Sequence, residues 1–171
     1  LTKKEFEVLL DRVSRAEVVA IDTETTSLDY MQAKIVGISV AIASNEAYYI
    51  PVKHEYDGVP DQLDRKYVLE KLKPWLEDKD AKKIGHNLKY DSHVFANHGI
   101  ELNGTDFDSM LESYVLNSTA TRHNLNAVAK RYLNMDTTSY EDVAGKGAKQ
   151  IGFNQVSLED ATSYAAEDAD V

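Results

Sequence analysis

Three short apolar runs follow one another near the start of the chain, and together they call for a sheet. They are Val18-Val19-Ala20-Ile21, then Lys34 to Ala43 with Ile35, Val36, Ile38, Val40 and Ile42, then Ala47 to Val52 with Tyr48, Tyr49 and Ile50. Runs this short and this rich in β-branched and aromatic residues read as strands. Ser44-Asn45-Glu46 is short and polar enough to join the second and third as a hairpin. The pattern then changes. Helical spacing runs through Tyr67, Leu69, Leu72 and Trp75, with Pro74 expected to kink or break that helix. Ala81 to Gly85 predicts a fourth strand. A helix capped by Asn87 follows and runs to His98-Gly99, with Gly99 at its C′ position. Ile100 to Leu102 is the expected fifth strand, and Met110 to Leu116 and Leu125 to Leu133 read as helices. The last helix opens on Ser157-Leu158-Glu159-Asp160, which fits a capping box, and an amphipathic helix at 3–14 precedes the first strand. Consecutive strands followed by strands alternating with helices specify an α/β fold with a mixed sheet.

With 171 residues, 43% of them apolar or aromatic, the chain suits one core. Such a core buries roughly two thirds of the unfolded surface. No repeat or flexible linker divides it, so 1–171 is read as a single domain. Only eight glycines and three prolines accompany 28% charged residues, which excludes collagen-like, low-complexity and wholly disordered classes. The lack of cysteine removes disulfides, thiol catalysis and Cys-based zinc sites. No uncharged apolar run approaches the length of a membrane span. Leu1 to Leu10 mixes Lys3, Lys4, Glu5 and Glu7 with its apolar residues, unlike a secretory signal. A soluble, cytoplasmic domain is expected. The chain starts without Met and stops at Val171 inside a helical pattern, so excision from a longer chain is expected too.

The net charge of −10 is a poor footprint for gripping nucleic acid through phosphates. Carboxylates gathered to hold metal ions would add to such a deficit until the metal arrives. One stretch runs the other way: between Thr121 and Gln150, Arg122, Lys130, Arg131, Lys146 and Lys149 outnumber Asp136, Glu141 and Asp142. Three acidic features stand out. In Asp22-Thr23-Glu24 the two acids share one face of a strand while Thr23 turns away. In the last helix Tyr164 and Asp168 share a face, Ala165, Ala166 and Ala169 allow close approach, and Glu167 and Asp170 leave on other faces toward solvent. In Gly85-His86-Asn87-Leu88-Lys89-Tyr90-Asp91 a strand ends, a helix begins, and Asp91 sits about one turn in. Each has a plain structural reading as a solvated strand end, a core-edge tyrosine and a helix-dipole acid.

Taken in order, these features resemble the tyrosine-bearing branch of the DEDD exonuclease superfamily. Asp22 to Leu28, Gly85 to Asp91, Met110 to Tyr114, Ala144 to Gly147 and Tyr164 to Val171 resemble more closely the proofreading domains of family A bacterial polymerases, DNA polymerase I. The resemblance spans about Val18 to Val171. It implies an RNase H-like mixed five-stranded sheet flanked by helices, and a 3′→5′ exonuclease acting on single-stranded or frayed DNA 3′ ends. It further implies two divalent ions, Mg²⁺ or Mn²⁺, for which hard carboxylate oxygens are the fitting ligands. On the family pattern Asp22, Glu24 and Asp168 hold the first ion, Asp22 and Asp91 the second, and Tyr164 orients the attacking water. Leu28 matches an apolar wedge near the terminal base, and Tyr140 an aromatic that stacks on a base. Asn87, Tyr90 and Arg122 would contact the sugar-phosphate, while His86 stands where some members carry Gln. The implied partners are a single-stranded DNA 3′ end and a polymerase domain in the same parent chain, with no membrane.

Two rivals remain at this point: an RNA 3′-trimming enzyme of the same branch, and a catalytically silent scaffold or DNA clamp. Three lesser motifs are set aside. Gly145-Lys146-Gly147 lacks the first Gly and the Ser/Thr of a phosphate loop. His93 and His98 do not share a helical face, and Trp75 reads as packing.

Overall fold

A computed structural model describes residues 1–171. Strand β1 (Val18–Thr25) lies at the centre of a five-stranded sheet of order β3-β2-β1-β4-β5. It pairs antiparallel with β2 (Ile35–Ala43), which turns through Ser44 and a left-handed Asn45 into antiparallel β3 (Glu46–Pro51). On its other side β1 pairs parallel with β4 (Lys82–Gly85), and β4 with β5 (Thr105–Asp108). This is the mixed α/β sheet that the order of apolar runs implied.

The helices cover both faces. Helix α1 (Lys3–Arg15) starts in a capping box between Thr2 and Glu5 and buries Phe6, Leu9 and Val13. With α2 (Arg65–Leu76) and α3 (Leu88–Ala96) it covers the larger core, which includes Val19 and Ile21 of β1 and Trp75 of α2. After β5 come α4 (Ser109–Asn117), α5 (Leu125–Val128) continuing as a π-helix over Ala129–Leu133, and α6 (Tyr140–Ala144), whose Ala144 joins the core under the last helix. The final helix, α7 (Leu158–Asp170), lies on the second face. Ala161 and Ala165 bring it close over Val36, Tyr49, Phe153 and Val156. Because side chains alternate along a strand, β1 sends odd residues into the first core and Ala20, Asp22 and Glu24 toward α7.

Several local expectations shift. The fifth strand is Thr105–Asp108, not Ile100 to Leu102. Ile100 and Leu102 are buried because they pack in the core, while Glu101 and Asn103 donate backbone N–H groups to Glu77 Oε1 and Leu76 O at the end of α2. The true strand is short and mostly exposed, so no apolar run marks it. Helix α2 passes through Pro74 to Leu76, since a proline in the last turn forfeits little of the ladder. Helix α3 ends at Ala96, before the left-handed Gly99. Asn87 occupies the N-cap position in a left-handed conformation and makes no side-chain cap bond. Asp108 caps instead: its carboxylate accepts the N–H groups of Asn87 and Leu88 and, at its own helix, those of Met110 and Leu111. Ser157 accepts the N–H of Asp160 and donates to its carboxylate, which is half of the expected box.

Candidate active site and metal centre

The end of β1 presents Asp22 and Glu24 to α7, and one turn beyond Tyr164 that helix presents Asp168. One carboxylate oxygen from each of Asp22, Glu24 and Asp168 lies within 4.8 Å of the others. Just past Glu24 the β1–β2 register slips, so Thr25 pairs with Ile35 and Val36 is skipped. Such bulges re-aim side chains beside functional sites. Asp91 of α3 is the fourth acid. It is buried and stands beside this trio without joining it. Thr23, on the opposite face of β1 from its two acidic neighbours, holds Asp91 in place. Its N–H donates to Asp91 Oδ1 at 3.1 Å and its hydroxyl to the same oxygen at 2.6 Å. The alternation of the strand therefore positions three acids, two directly and one through Thr23.

No lysine or arginine forms an ion pair with any of the four. Burial pushes the Asp22 carboxyl up to about 6. Burial, and then the charge of Asp22, pushes Asp168 to about 7. Glu24 is raised well above the carboxylate range by burial and by Asp22, Asp168 and Asp91. Asp91 is raised by burial and by Asp22, against the hydrogen bonds from Thr23. Glu24 Oε1 is buried with no hydrogen-bond partner. An orphaned carboxylate oxygen among mutually repelling acids fits a hard divalent cation, which would replace both the lost hydration and the missing positive charge. Tyr164 belongs to the same cluster: burial and the charges of Asp168, Glu24 and Asp22 hold its hydroxyl protonated.

A second set of residues frames the acids. Gly37, which pairs with Glu24, lies under the ring of Tyr49; a Cβ there would fall 2.0 Å from the tyrosine oxygen. The Tyr49 hydroxyl meets His54 Nε2 at 2.7 Å, and His54 Nδ1 meets Val156 O at 3.0 Å. A carbonyl can only accept, so Nδ1 carries the proton and Nε2 accepts from Tyr49. This chain ties β3 to the start of α7, and no motif in the sequence marks it.

The remaining site residues named from the sequence fall into three groups. Leu28 is 94% exposed on the loop after β1 and is no part of the core. Tyr90 braces that loop, its hydroxyl donating to Ser27 O at 2.6 Å. Tyr140 stacks on Phe153 and meets Tyr164 edge-on, with ring centres 6.3 and 6.5 Å apart, so it borders the site while keeping one side exposed. Arg122 is exposed and in no ion pair, and the Asn87 side chain makes no cap bond. His86 Nδ1 meets Ser109 Oγ at 2.9 Å, and its Nε2 is buried without a partner. The expectation that Glu167 and Asp170 point to solvent is wrong. Glu167 Oε2 accepts the Thr138 N–H at 2.6 Å, and Asp170 Oδ1 accepts the Asn45 N–H at 2.7 Å. Both acids anchor α7 to neighbouring loops, because backbone donors that lack a ladder partner need a side-chain acceptor.

The family described as 3′-5′ exonuclease matches residues 1–171. DNA polymerase I of Pseudomonas aeruginosa is 53% identical over 168 residues, covering 97% of this chain and 18% of that protein. DNA polymerase I of Borreliella burgdorferi is 36% identical over 170 residues, covering 99% and 18%. The chain thus spans about a fifth of the length of the curated relatives it matches. Among solved structures, Escherichia coli RNase D superposes with a TM-score of 0.68 at 18% identity, covering 99% of this chain and 40% of that one. Brucella melitensis NrnC with bound Mg²⁺ gives 0.62 at 22% identity, covering 92% and 68%. These two likenesses show a shared fold.

Proposed function

Because the chain belongs to the 3′-5′ exonuclease family of the DNA polymerase I type, we propose that it cuts single-stranded or frayed DNA from the 3′ end as the editing part of a polymerase. The observation that carries this reading is the trio of Asp22, Glu24 and Asp168, within 4.8 Å of one another, with Glu24 Oε1 unsatisfied. Asp22, Glu24 and Asp168 would hold one divalent ion, and Asp22 with Asp91, through water, a second. Bound there, Mg²⁺ or Mn²⁺ would lower the pKa of a water and stabilise charge on the attacked phosphate. Thr23 keeps Asp91, the fourth acid, aimed at the other three through its paired hydrogen bonds.

Tyr164 orients the attacking water by hydrogen bond. A hydroxyl whose pKa is raised by burial and three acids is a poor base. Leu28, exposed on its loop, separates the terminal base from its neighbour, and Tyr90 keeps that loop from folding away. Tyr140 offers its exposed side to a base, a contact that tolerates any sequence. Asn87 and Arg122 supply donors to the strand's sugar-phosphate. The product is a nucleoside 5′-monophosphate.

Replacing Asp22 and Glu24 together by Ala tests this. The parent should release mononucleotides from a single-stranded DNA 3′ end only with Mg²⁺ or Mn²⁺, and faster than from RNA of matched sequence. The double variant should release none. Equal release by the double variant overturns the assignment of the acids, and faster cleavage of the RNA overturns the substrate.

A further inference from the structure

Thr138 lies in the link between the π-helix and α6. The backbone from Asp136 to Thr138 has no partner in the main chain. What holds it is side chains. Glu167 of α7 accepts the Thr138 N–H at 2.6 Å, Asn126 Nδ2 of α5 approaches the Thr138 carbonyl at 3.4 Å, and Lys130 pairs with Asp136 at 2.7 Å. The contact from Glu167 is the strong one, a short charge-assisted bond from a half-buried carboxylate. Immediately after Thr138 the chain becomes rigid again. Ser139 and Asp142 form a capping box, and Tyr140 opens α6 against Phe153 and Tyr164. Glu167 also directly precedes Asp168.

We propose that Glu167 is a positioning residue for the DNA strand, clamping Thr138 so that Tyr140 and α6 keep their place relative to the acids on α7. This rests on the strand-editing reading above. Asp168 and Tyr164 face the acidic centre from α7, while Tyr140 sits at the start of α6, just after a link that has no backbone ladder of its own. One carboxylate joins the two. Losing it frees the link to move as a unit from Asp136 to the capping box. The aromatic platform then samples positions from which it cannot stack, while the acids keep their geometry. Glu167 thus acts through Tyr140 and touches neither metal nor phosphate.

The clamp needs an acceptor at the right reach, which a neutral carbonyl also supplies though more weakly, and this separates it from a metal-binding role. Glu167→Ala should raise KM for single-stranded DNA about tenfold while kcat stays within about twofold and Mg²⁺ affinity is kept. Glu167→Gln, which retains a carbonyl acceptor at the same reach, should restore KM to within about twofold of the parent. Amide hydrogen exchange at Thr138 to Tyr140 should speed up at least tenfold in Glu167→Ala and stay near the parent's rate in Glu167→Gln. An unchanged KM in the Ala variant, or a loss of kcat and Mg²⁺ affinity with KM kept, overturns the proposal. Should the Ala variant not fold, exchange and KM in Glu167→Asp, one methylene short of the contact, decide between the same outcomes. If the parent chain itself cleaves no DNA, the functional reading fails. Exchange at Thr138 then still tests the clamp: equal exchange in parent and Ala variant refutes it.

Discussion

Asp168 works against the fold it belongs to. Its carboxyl titrates at about 7, against 3.8 for an unperturbed Asp, first because it is buried and then because Asp22 faces it. The folded chain therefore holds a proton there that the unfolded chain has released, over the interval between those two values. By linkage, stability falls as pH rises wherever the folded state binds more protons. The burden is absent below about pH 4, grows through neutral pH and is complete above about pH 7. Asp168→Asn removes it. In thermal melts without divalent metal, parent and variant should agree near pH 4. By pH 8 the variant should be more stable by roughly 2–4 kcal/mol. Saturating Mg²⁺ should raise the melting temperature of the parent more than that of the variant, because one ligand of the first ion is gone. Melting curves that stay parallel across this range would mean that Asp168 is not held against repulsion at all.

Among the elements, the pairing of β2 with β3 shows how a glycine can shape a site from below. Gly37 is opposite Glu24, and its missing side chain is the space in which Tyr49 lies. A methyl group there would meet the tyrosine ring and not a flexible chain end, so the ring must move and take the His54 bond with it. Gly37→Ala should cost about 1–3 kcal/mol as an overpacking change. In a background of Tyr49→Ala the same substitution should cost under about 0.5 kcal/mol. Denaturant titrations of the four proteins give the coupling, and equal costs in both backgrounds would show that the ring is not what Gly37 accommodates. Four of the five strands and the acids were legible because burial in a sheet leaves short apolar runs and because Asp22, Glu24, Tyr164 and Asp168 lie at spacings that strands and helices turn into shared faces. Thr23, Tyr49, His54 and Asp108 were not. Thr23, His54 and Asp108 act on residues tens of positions away, and Tyr49 on Gly37 and His54 in the neighbouring strand and loop; such contacts leave no local period. Ile100 and Leu102 misled for the complementary reason: an apolar pair records burial, whatever its backbone pairing.

At the scale of the whole molecule, the net charge of −10 sets the terms on which any polyanion can approach. The basic stretch from Thr121 to Gln150 offers five cations, but Lys130 is taken by Asp136 and Lys146 by Glu141. Arg122, Arg131 and Lys149 are left without ion pairs. Affinity for single strands falls with salt at a slope of about −0.7 per phosphate neutralised. Phosphate contacts from these three alone would give a slope of about −2 in a plot of log K against log salt. The binding that remains must come from stacking on Tyr140, which releases few counterions. A fluorescent single-stranded oligonucleotide, titrated with the catalytically silenced Asp22→Ala, Glu24→Ala protein over a series of salt concentrations, measures this. Weak binding with a shallow slope is expected, and Arg122→Ala should reduce the slope by roughly 0.7. A slope of about −4 or steeper would require phosphate contacts from cations beyond these three. Lysines outside the basic stretch, such as the exposed Lys89 of α3, are in no ion pair and would then be the ones that reach the strand.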